Sequence, residues 1–289
     1  MKTLVRIAAL FAALLALPAH ADDMRHGGKL LLTNGITSVE GASGGGLTPW
    51  ATIAGNATRD GIGVQASATV AEVRDYDYRN LSVAIGVFDR VEVSYARQTF
   101  DTNKVGGMLG LGNDFKFDQD VFGAKVTLGG DLVYGKPLMP AIAVGVQYKR
   151  SLDAPVVAAI GAKHRAGVDL YATASKLFLS HSVLASATVR ATKANQMGLL
   201  GFGGDKNDRY GVLVEGSIAY QLSRKVAVGA EYRSKPDKLG IAREDDWFDV
   251  FAAIAITRNL TATAAYSDLG SIATRPKQRG VLFQIQTAF

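Results

Sequence analysis

At its carboxyl end the chain alternates strictly. Val281, Phe283, Ile285, Thr287 and Phe289 fall on one face of an extended segment, and Leu282, Gln284, Gln286 and Ala288 fall on the other. A two-residue period with unlike faces is that of a strand between two different surroundings, which in an outer-membrane barrel are lipid and lumen. The pattern recurs upstream. Four segments set a tyrosine at the end of an apolar row: Val91-x-Val93-x-Tyr95, Val144-x-Val146-x-Tyr148, Val228-x-Ala230-x-Tyr232 and Ala262-x-Ala264-x-Tyr266. Three of them follow tight turns at Asp89-Arg90, Ser223-Arg224-Lys225 and Arg258-Asn259, and a similar turn at Arg59-Asp60-Gly61 precedes Ile62-x-Val64-x-Ala66. With those turns on the periplasmic side, Tyr95, Tyr148, Tyr232 and Tyr266 reach one depth and predict part of the outer aromatic girdle.

Turn signals divide the chain into strands at about residues 60–74, 79–88, 90–100, 119–130, 140–150, 165–175, 182–193, 209–222, 224–234, 245–257, 258–268 and 278–289. The turn at Arg59 implies one more strand near residues 47–56, and an even count then needs another at 29–39. The predicted fold is therefore an all-β, antiparallel, up-and-down transmembrane barrel of about 14 strands. The alternative is 12 strands with residues 24–58 folded inside as a plug, because the glycine-rich run at residues 41–46 suits either an outer turn or an insert.

The amino end fits export. Lys2 and Arg6 precede an apolar run from Ile7 to Leu17, and Ala19-His20-Ala21 stands before Asp22-Asp23, which predicts a cleaved signal peptide over residues 1–21. A tail at 22–28 and a barrel at 29–289 follow. The apolar run is too short to cross a hydrocarbon core of about 30 Å as a helix, and no later apolar run reaches about 18 residues, so a membrane role must use strands. Losing Lys2 and Arg6 takes the formal charge from +6 to +4. The remaining charges are interspersed, which argues against nucleic acid as a partner. Cysteine is absent, so there is neither a disulfide framework nor a thiolate metal site. With 32 glycines, seven prolines and 48% hydrophobic residues, the composition suits curved strands and excludes a collagenous or disordered chain.

The inward faces are polar, carry both signs and are rich in small side chains. They comprise Gly63, Gln65, Ser67, Thr69, Glu92, Ser94, Lys125, Gln147, Lys149, Asp169, Thr173, Thr188, Arg190, Glu215, Ser217, Lys225, Glu231 and Arg233. The charged members Glu92, Lys125, Lys149, Asp169, Arg190, Glu215, Glu231 and Arg233 are the candidate lumen lining. Such a lining holds water in an open bore, or pairs across a closed one. Two connections repeat an apolar–glycine motif, at residues 108–114 and 199–205, and both fall on the outer side. Apolar loop residues such as Leu109, Leu199 and Phe202 are sticky if left in water, so they pack inward as loop structure or form a constriction or landing site for an apolar solute. A third connection, residues 151–165, carries an apolar run at 156–160 that suits a lid or a short buried helix.

Catalytic and metal chemistry find little support. His20 leaves with the signal, His26 lies in the tail, His164 is on a predicted loop, and His181 precedes Ser182 near a periplasmic turn. Adjacent strand residues point to opposite faces, so His181 and Ser182 make a poor catalytic pair. Asp114, Asp118 and Asp120, or Asp205, Asn207 and Asp208, offer oxygen ligands without the spacing of a full calcium loop. No catalytic residue, metal site or cofactor is expected.

Two resemblances add to this. The terminal strand, with Val281, Phe283, Ile285 and Phe289 on one face, resembles the carboxyl-terminal signal recognised by bacterial barrel-assembly machinery. The segments 27–33, 39–41, 44–50 (Gly-Gly-Gly-Leu-Thr-Pro-Trp) and 89–94 (Asp-Arg-Val-Glu-Val-Ser) resemble the proteobacterial outer-membrane family known as domain of unknown function 3034, over nearly the whole mature chain. That resemblance implies an outer-membrane setting, makes the amino-terminal segment part of the module, and supplies no substrate. The expected function is a passive channel or transporter for a small solute. A non-conducting structural or assembly barrel is the alternative, and a surface lipid-modifying enzyme comes third. Expected partners are outer-membrane lipid and lipopolysaccharide, the assembly machinery and a small-molecule solute.

Overall fold

In the computed structural model, which describes residues 28–134 and 138–289, the alternating segments form a closed wall. Two short strands, β1 (Ile36–Thr37) and β2 (Ser43–Gly44), pair with each other and stand apart from it. The wall consists of β3 (Ile62–Val73), β4 (Asp77–Val87), β5 (Val91–Asp101), β6 (Lys116–Gly129), β7 (Ala141–Ser151), β8 (Ala166–Phe178), β9 (Val183–Thr192), β10 (Gly211–Ser223), β11 (Val226–Arg233), β12 (Trp247–Ala255), β13 (Leu260–Asp268) and β14 (Arg279–Ala288). Each pairs antiparallel with its sequence neighbour, and β14 pairs with β3, so no edge remains. The carboxyl terminus makes the seam: the Phe289 amide donates to the Val64 carbonyl at 2.8 Å, and the Val64 amide donates back at 3.0 Å.

The wall therefore has 12 strands, and the count of 14 is corrected. The segments expected as strands at 29–39 and 47–56 run inside the barrel. Residues 33–55 are buried without interruption, whereas a wall strand must expose every second side chain to lipid. The chain enters at the end with the short turns, where the Lys29 amide donates to the Asn56 carbonyl at 3.2 Å and Lys29 Nζ pairs with Asp89 at 2.8 Å. It rises through the bore, turns over near residues 38–47, and descends to Asn56, whose amide donates to the Phe289 carbonyl at 2.9 Å. The structure thus has the 12-strand, plugged architecture. The expected signal peptide, with His20, and His26 of the tail lie outside the described residues.

Connections 88–90, 179–182, 224–225 and 256–259 are short and share one end with the plug's entry. Connections 102–115, 152–165, 193–210, 234–246 and 269–278 are longer and gather at the other end, the outer one by the usual asymmetry of such barrels. Lys225 is not inward-facing: it lies in the exposed turn between β10 and β11. Outside, β10 presents Val212, Val214, Ile218, Tyr220 and Leu222, all exposed. Ten residues of tilted strand rise about 25 Å, the height of a lipid-facing band.

Plug and wall meet closely at Gly86 on β4. A Cβ there would collide with the Ala54 carbonyl and stand 2.6 Å from Ile53 Cγ2. Gly86→Val is predicted to displace the plug while leaving the wall ladder in place. Limited proteolysis should then cut within residues 33–58, and the barrel should keep its heat-modifiable gel mobility; a protected plug in the folded variant would refute the close fit.

Candidate functional site

The plug is held by wall side chains rather than by sheet ladder. The Thr37 amide donates to Gln284 Oε1 (3.3 Å), Ser43 to Glu92 Oε1 (3.1 Å), Leu47 to Glu231 Oε2 (2.8 Å), Ala51 to Ser175 Oγ (2.9 Å) and Ala54 to Glu92 Oε2 (2.8 Å). Wall donors take plug carbonyls in return. Tyr78 Oη and Gln98 Nε2 donate to Val39 O at 2.9 and 2.6 Å, and Thr173 and Thr188 hydroxyls donate to Pro49 O. Wall alternation places these side chains inward, where they satisfy a backbone that has little secondary structure of its own.

Glu40, at the plug's turn, is the centre of the largest ion cluster. Arg233 Nη1 donates to its Oε2 at 2.8 Å, Arg190 Nη2 lies 3.2 Å from the same oxygen, and Lys149 Nζ bonds Oε1. Lys149 also pairs with Asp169 at 2.6 Å, and Arg190 Nε donates to Glu215 at 2.5 Å. Three acids thus meet three bases, all buried. Burial pushes the Glu40 carboxyl up, but Arg190, Arg233 and Lys149 together outweigh it and hold the group well below the usual carboxylate range.

Two further contacts grip the descending limb. Lys125 Nζ pairs with Glu92 at 3.2 Å and donates to the Ser43 and Trp50 carbonyls at 2.9 and 3.2 Å. Glu231 also accepts from the Thr48 hydroxyl at 2.9 Å, and it packs so closely on Gly45 that any Cβ there would overlap its carboxylate. Its register partner on β12 is Asp249, and neither acid has an ion-pair partner among the described residues.

Above the plug the chemistry changes. Val39 and Leu47, at the plug's apex, floor a chamber of about 310 Å³. Wall residues Tyr78, Phe100, Phe117, Trp247 and Leu282 line it with loop residues from six connections. The repeated apolar–glycine motifs supply Leu109, Leu111, Leu199 and Leu200, and the helix α1 (Asn103–Met108) supplies Val105. The run at 156–160 is largely the short helix α2 (Ala154–Ala159), which contributes Val156 and Ala159, with Ile160 just beyond it. Phe202 is buried behind the chamber, bridged to His164 and Ala194. Leu109 and Ile241 are also exposed, so the chamber reaches the outer surface between loops. Beside it Lys235 Nζ stands 4.2 Å from the centre of the Trp247 ring and pairs with Glu244 at 3.1 Å. Burial raises the Glu244 carboxyl and lowers the Lys235 amine, each shift opposed by the other group.

The eight charged lumen candidates all lie inside the barrel. Lys149, Asp169, Arg190, Glu215 and Arg233 come together around Glu40, while Glu92, Lys125 and Glu231 hold other points of the plug. Glu40, Asp249 and Trp247 were missed. Glu40 lies in a segment without strand periodicity, so no face could be assigned to it, and the inward alternation of β12 was the unused signal for the other two. Tyr95, Tyr148, Tyr232 and Tyr266 sit on the outer face. Two residues on, toward the loop end, follow Arg97, Arg150, Ser234 and Asp268, so each ring ends an apolar row. Tyr95 and Tyr148 flank Phe122, with ring centroids 5.1 and 6.5 Å away. Val281 and Phe283 are exposed on the terminal strand, and Ile285 and Phe289 are half-buried.

The histidines lie far apart in the chain. His181 Nδ1 is 2.9 Å from its neighbour Ser180 Oγ in an exposed turn, and His164 Nε2 lies 4.0 Å from Asp208. Among the described residues no third group orients the His181 ring, and no cluster of three or more His, Asp or Glu could hold a metal. The candidate calcium acids are engaged elsewhere: Asp120 accepts from Arg97 at 2.9 Å, and Asp208 from Lys193 at 3.2 Å.

A 12-stranded barrel with an apolar outer band and a bore filled by its own amino-terminal segment defines a plugged barrel of the outer-membrane class. The chain belongs to the family described as protein of unknown function DUF3034, whose model matches residues 33–286. Among solved structures it is similar to the KdgM porin, with 11% identity, TM-score 0.51, and 78% of this chain and 99% of that one covered. It is equally similar to the COG4313 outer membrane channel from Pseudomonas putida F1, with 12% identity, TM-score 0.52, and 81% and 97% covered. At such identities the likeness establishes the fold alone. A comparison with curated proteins gives no match.

Glu40→Gln is predicted to leave three buried cations facing two acids. Breaking such a pair costs about 3–5 kcal/mol, so the unplugged fraction should rise at least about 100-fold. Open probability in planar bilayers reads this out. Adding Lys149→Met, which restores the balance of charge, should recover part of the closure; equal behaviour of single and double variants would refute the role given to Glu40.

Proposed function

We propose that this chain is an outer-membrane transporter for a small solute, with the bore kept shut by residues 28–58 until the plug moves. One observation carries the reading: above the Asn56–Phe289 bond at its base, the plug is attached to the wall through side chains and not through the ladder. Withdrawing it exchanges side-chain hydrogen bonds for bonds to water and leaves every inter-strand bond intact. Once it has moved, the charged and hydroxylated wall that now holds it becomes the lining of a wet passage. The tyrosine ring then sits at the outer lipid interface and the polar row above it faces lipopolysaccharide headgroups. The exposed side of the terminal strand serves as the signal read during barrel assembly.

Single-channel conductance separates this reading from the structural one. The mature barrel and a variant lacking residues 29–58, its folding checked by heat-modifiable mobility, should differ: silence in the first and steady conductance in the second. Silence in both would favour a permanently closed structural barrel. Steady conductance in the full-length protein would replace the gated transporter with a passive pore.

A further inference from the structure

The outer chamber differs from the bore beneath it in one respect that bears on what it can hold. Among the described residues none that lines it carries a formal charge, and the walls are dominated by aliphatic and aromatic side chains. Lys235 and Glu244, beside the chamber, are paired with each other, with Lys235 held over the Trp247 ring. An ion entering such a space must shed its water without meeting a counter-charge, so the chamber excludes ions. A neutral apolar molecule gains from leaving water for the same walls.

Size narrows the class. A dry engineered cavity of about 150 Å³ accepts benzene, so the roughly twofold larger space here accepts a molecule of about two such rings, or a chain of similar bulk. Polarity narrows it further. Two lining residues have buried polar atoms without a hydrogen-bond partner: the Trp247 indole Nε1 and the Ser267 hydroxyl. Buried polar atoms are almost always bonded, and an orphan pair at one small-molecule chamber is accounted for by a partner that arrives with the ligand. The indole donates only, so its partner is an acceptor; the hydroxyl donates or accepts.

We propose that this chamber is a binding site for an uncharged, mainly apolar small molecule bearing one hydroxyl or carbonyl group, which Trp247 and Ser267 bind. The assignment rests on the transport reading in that it names the class of solute taken up above the plug. Val39 and Leu47 belong both to the floor of the chamber and to the plug's apex, so a bound solute touches the element that must move.

The chain has two tryptophans, Trp50 in the plug and Trp247 in the chamber, so a Trp50→Phe barrel reports on the chamber alone. Bromine quenches indole fluorescence on contact. 2-Bromooctanol, whose bromine sits on the carbon next to the hydroxyl-bearing one, added to this variant in lipid nanodiscs, should quench Trp247 saturably, and 2-bromooctanoate at neutral pH should bind at least about tenfold more weakly. Ser267→Ala should weaken the alcohol about fivefold and leave brominated octane unchanged. Ala71→Phe, which fills the space from β3 in a barrel with normal heat-modifiable mobility, should abolish saturable quenching. Quenching that rises linearly with probe, equal affinity for the carboxylate, or indifference to Ala71→Phe would each overturn the site. The two readings fail separately: saturable binding in a barrel that stays silent after plug removal keeps the chamber and rejects transport, and conductance without binding does the reverse.

Discussion

The contact on which this architecture turns is the meeting of Glu40 with Lys149, Arg190 and Arg233. The wall alone places those three cations beside Asp169 and Glu215, one positive charge in excess, in a space shielded from lipid by the barrel and from water by the plug. A buried excess charge costs several kcal/mol unless it is compensated. The plug supplies the missing carboxylate at its turn, so the charge inside the wall fixes how far the segment rises. From that height the remaining contacts follow: Lys125 and Glu92 meet Ser43 and Ala54, Glu231 meets Leu47 and Thr48, and Val39 and Leu47 are carried up to floor the chamber.

Buried ion clusters of this kind add little net stability over apolar packing, and in some proteins they select one arrangement over its neighbours. A hairpin inside a smooth cylinder has few features to stop it sliding. The requirement that Gly45 meet Glu231 with no room for a Cβ, while Glu40 meets three cations higher in the bore, leaves one register. The same groups are hydrated readily when exposed, so the wall does not depend on the plug to remain soluble to water on its inner face. A bore filled with leucine would be more permanently closed and would lack that reversibility.

The wall was legible in the sequence because lipid on one side and polar groups on the other impose a period of two on every strand, and all twelve expected wall segments coincide with observed ones to within about four residues. The plug was not, for the converse reason. Residues 33–55 are surrounded by barrel on all sides, so no face is singled out, and a segment buried on every side shows no periodicity. The pairing rule then misled: an even strand count was sought from residues that bond to side chains. The site was legible as far as alternation reaches, which is why wall charges could be assigned inward and Glu40 could not. The loop motifs at 108–114 and 199–205 showed an apolar surplus, but a chamber is made by several connections meeting, and only the fold brings residue 109 near residues 199 and 241.

The vertical order of these parts constrains any solute. An apolar chamber alone would retain what it binds, and a charged bore alone would pass ions and water before anything scarce and poorly soluble. Stacked in series, the chamber concentrates a neutral molecule from the outside by removing its apolar surface from water, and the plug's apex is the part of its lining that also closes the bore. Binding and opening are therefore coupled only if the solute contacts the raised and withdrawn plug differently. Val39 provides such a difference. Its side chain floors the chamber while its carbonyl accepts from Tyr78 and Gln98, so a solute that gains by contact with it favours the raised plug, and one too bulky to sit above it favours withdrawal. The ion cluster sets the resting height, the chamber sets what is drawn in, and the shared residues at the apex are where occupancy of one bears on the other.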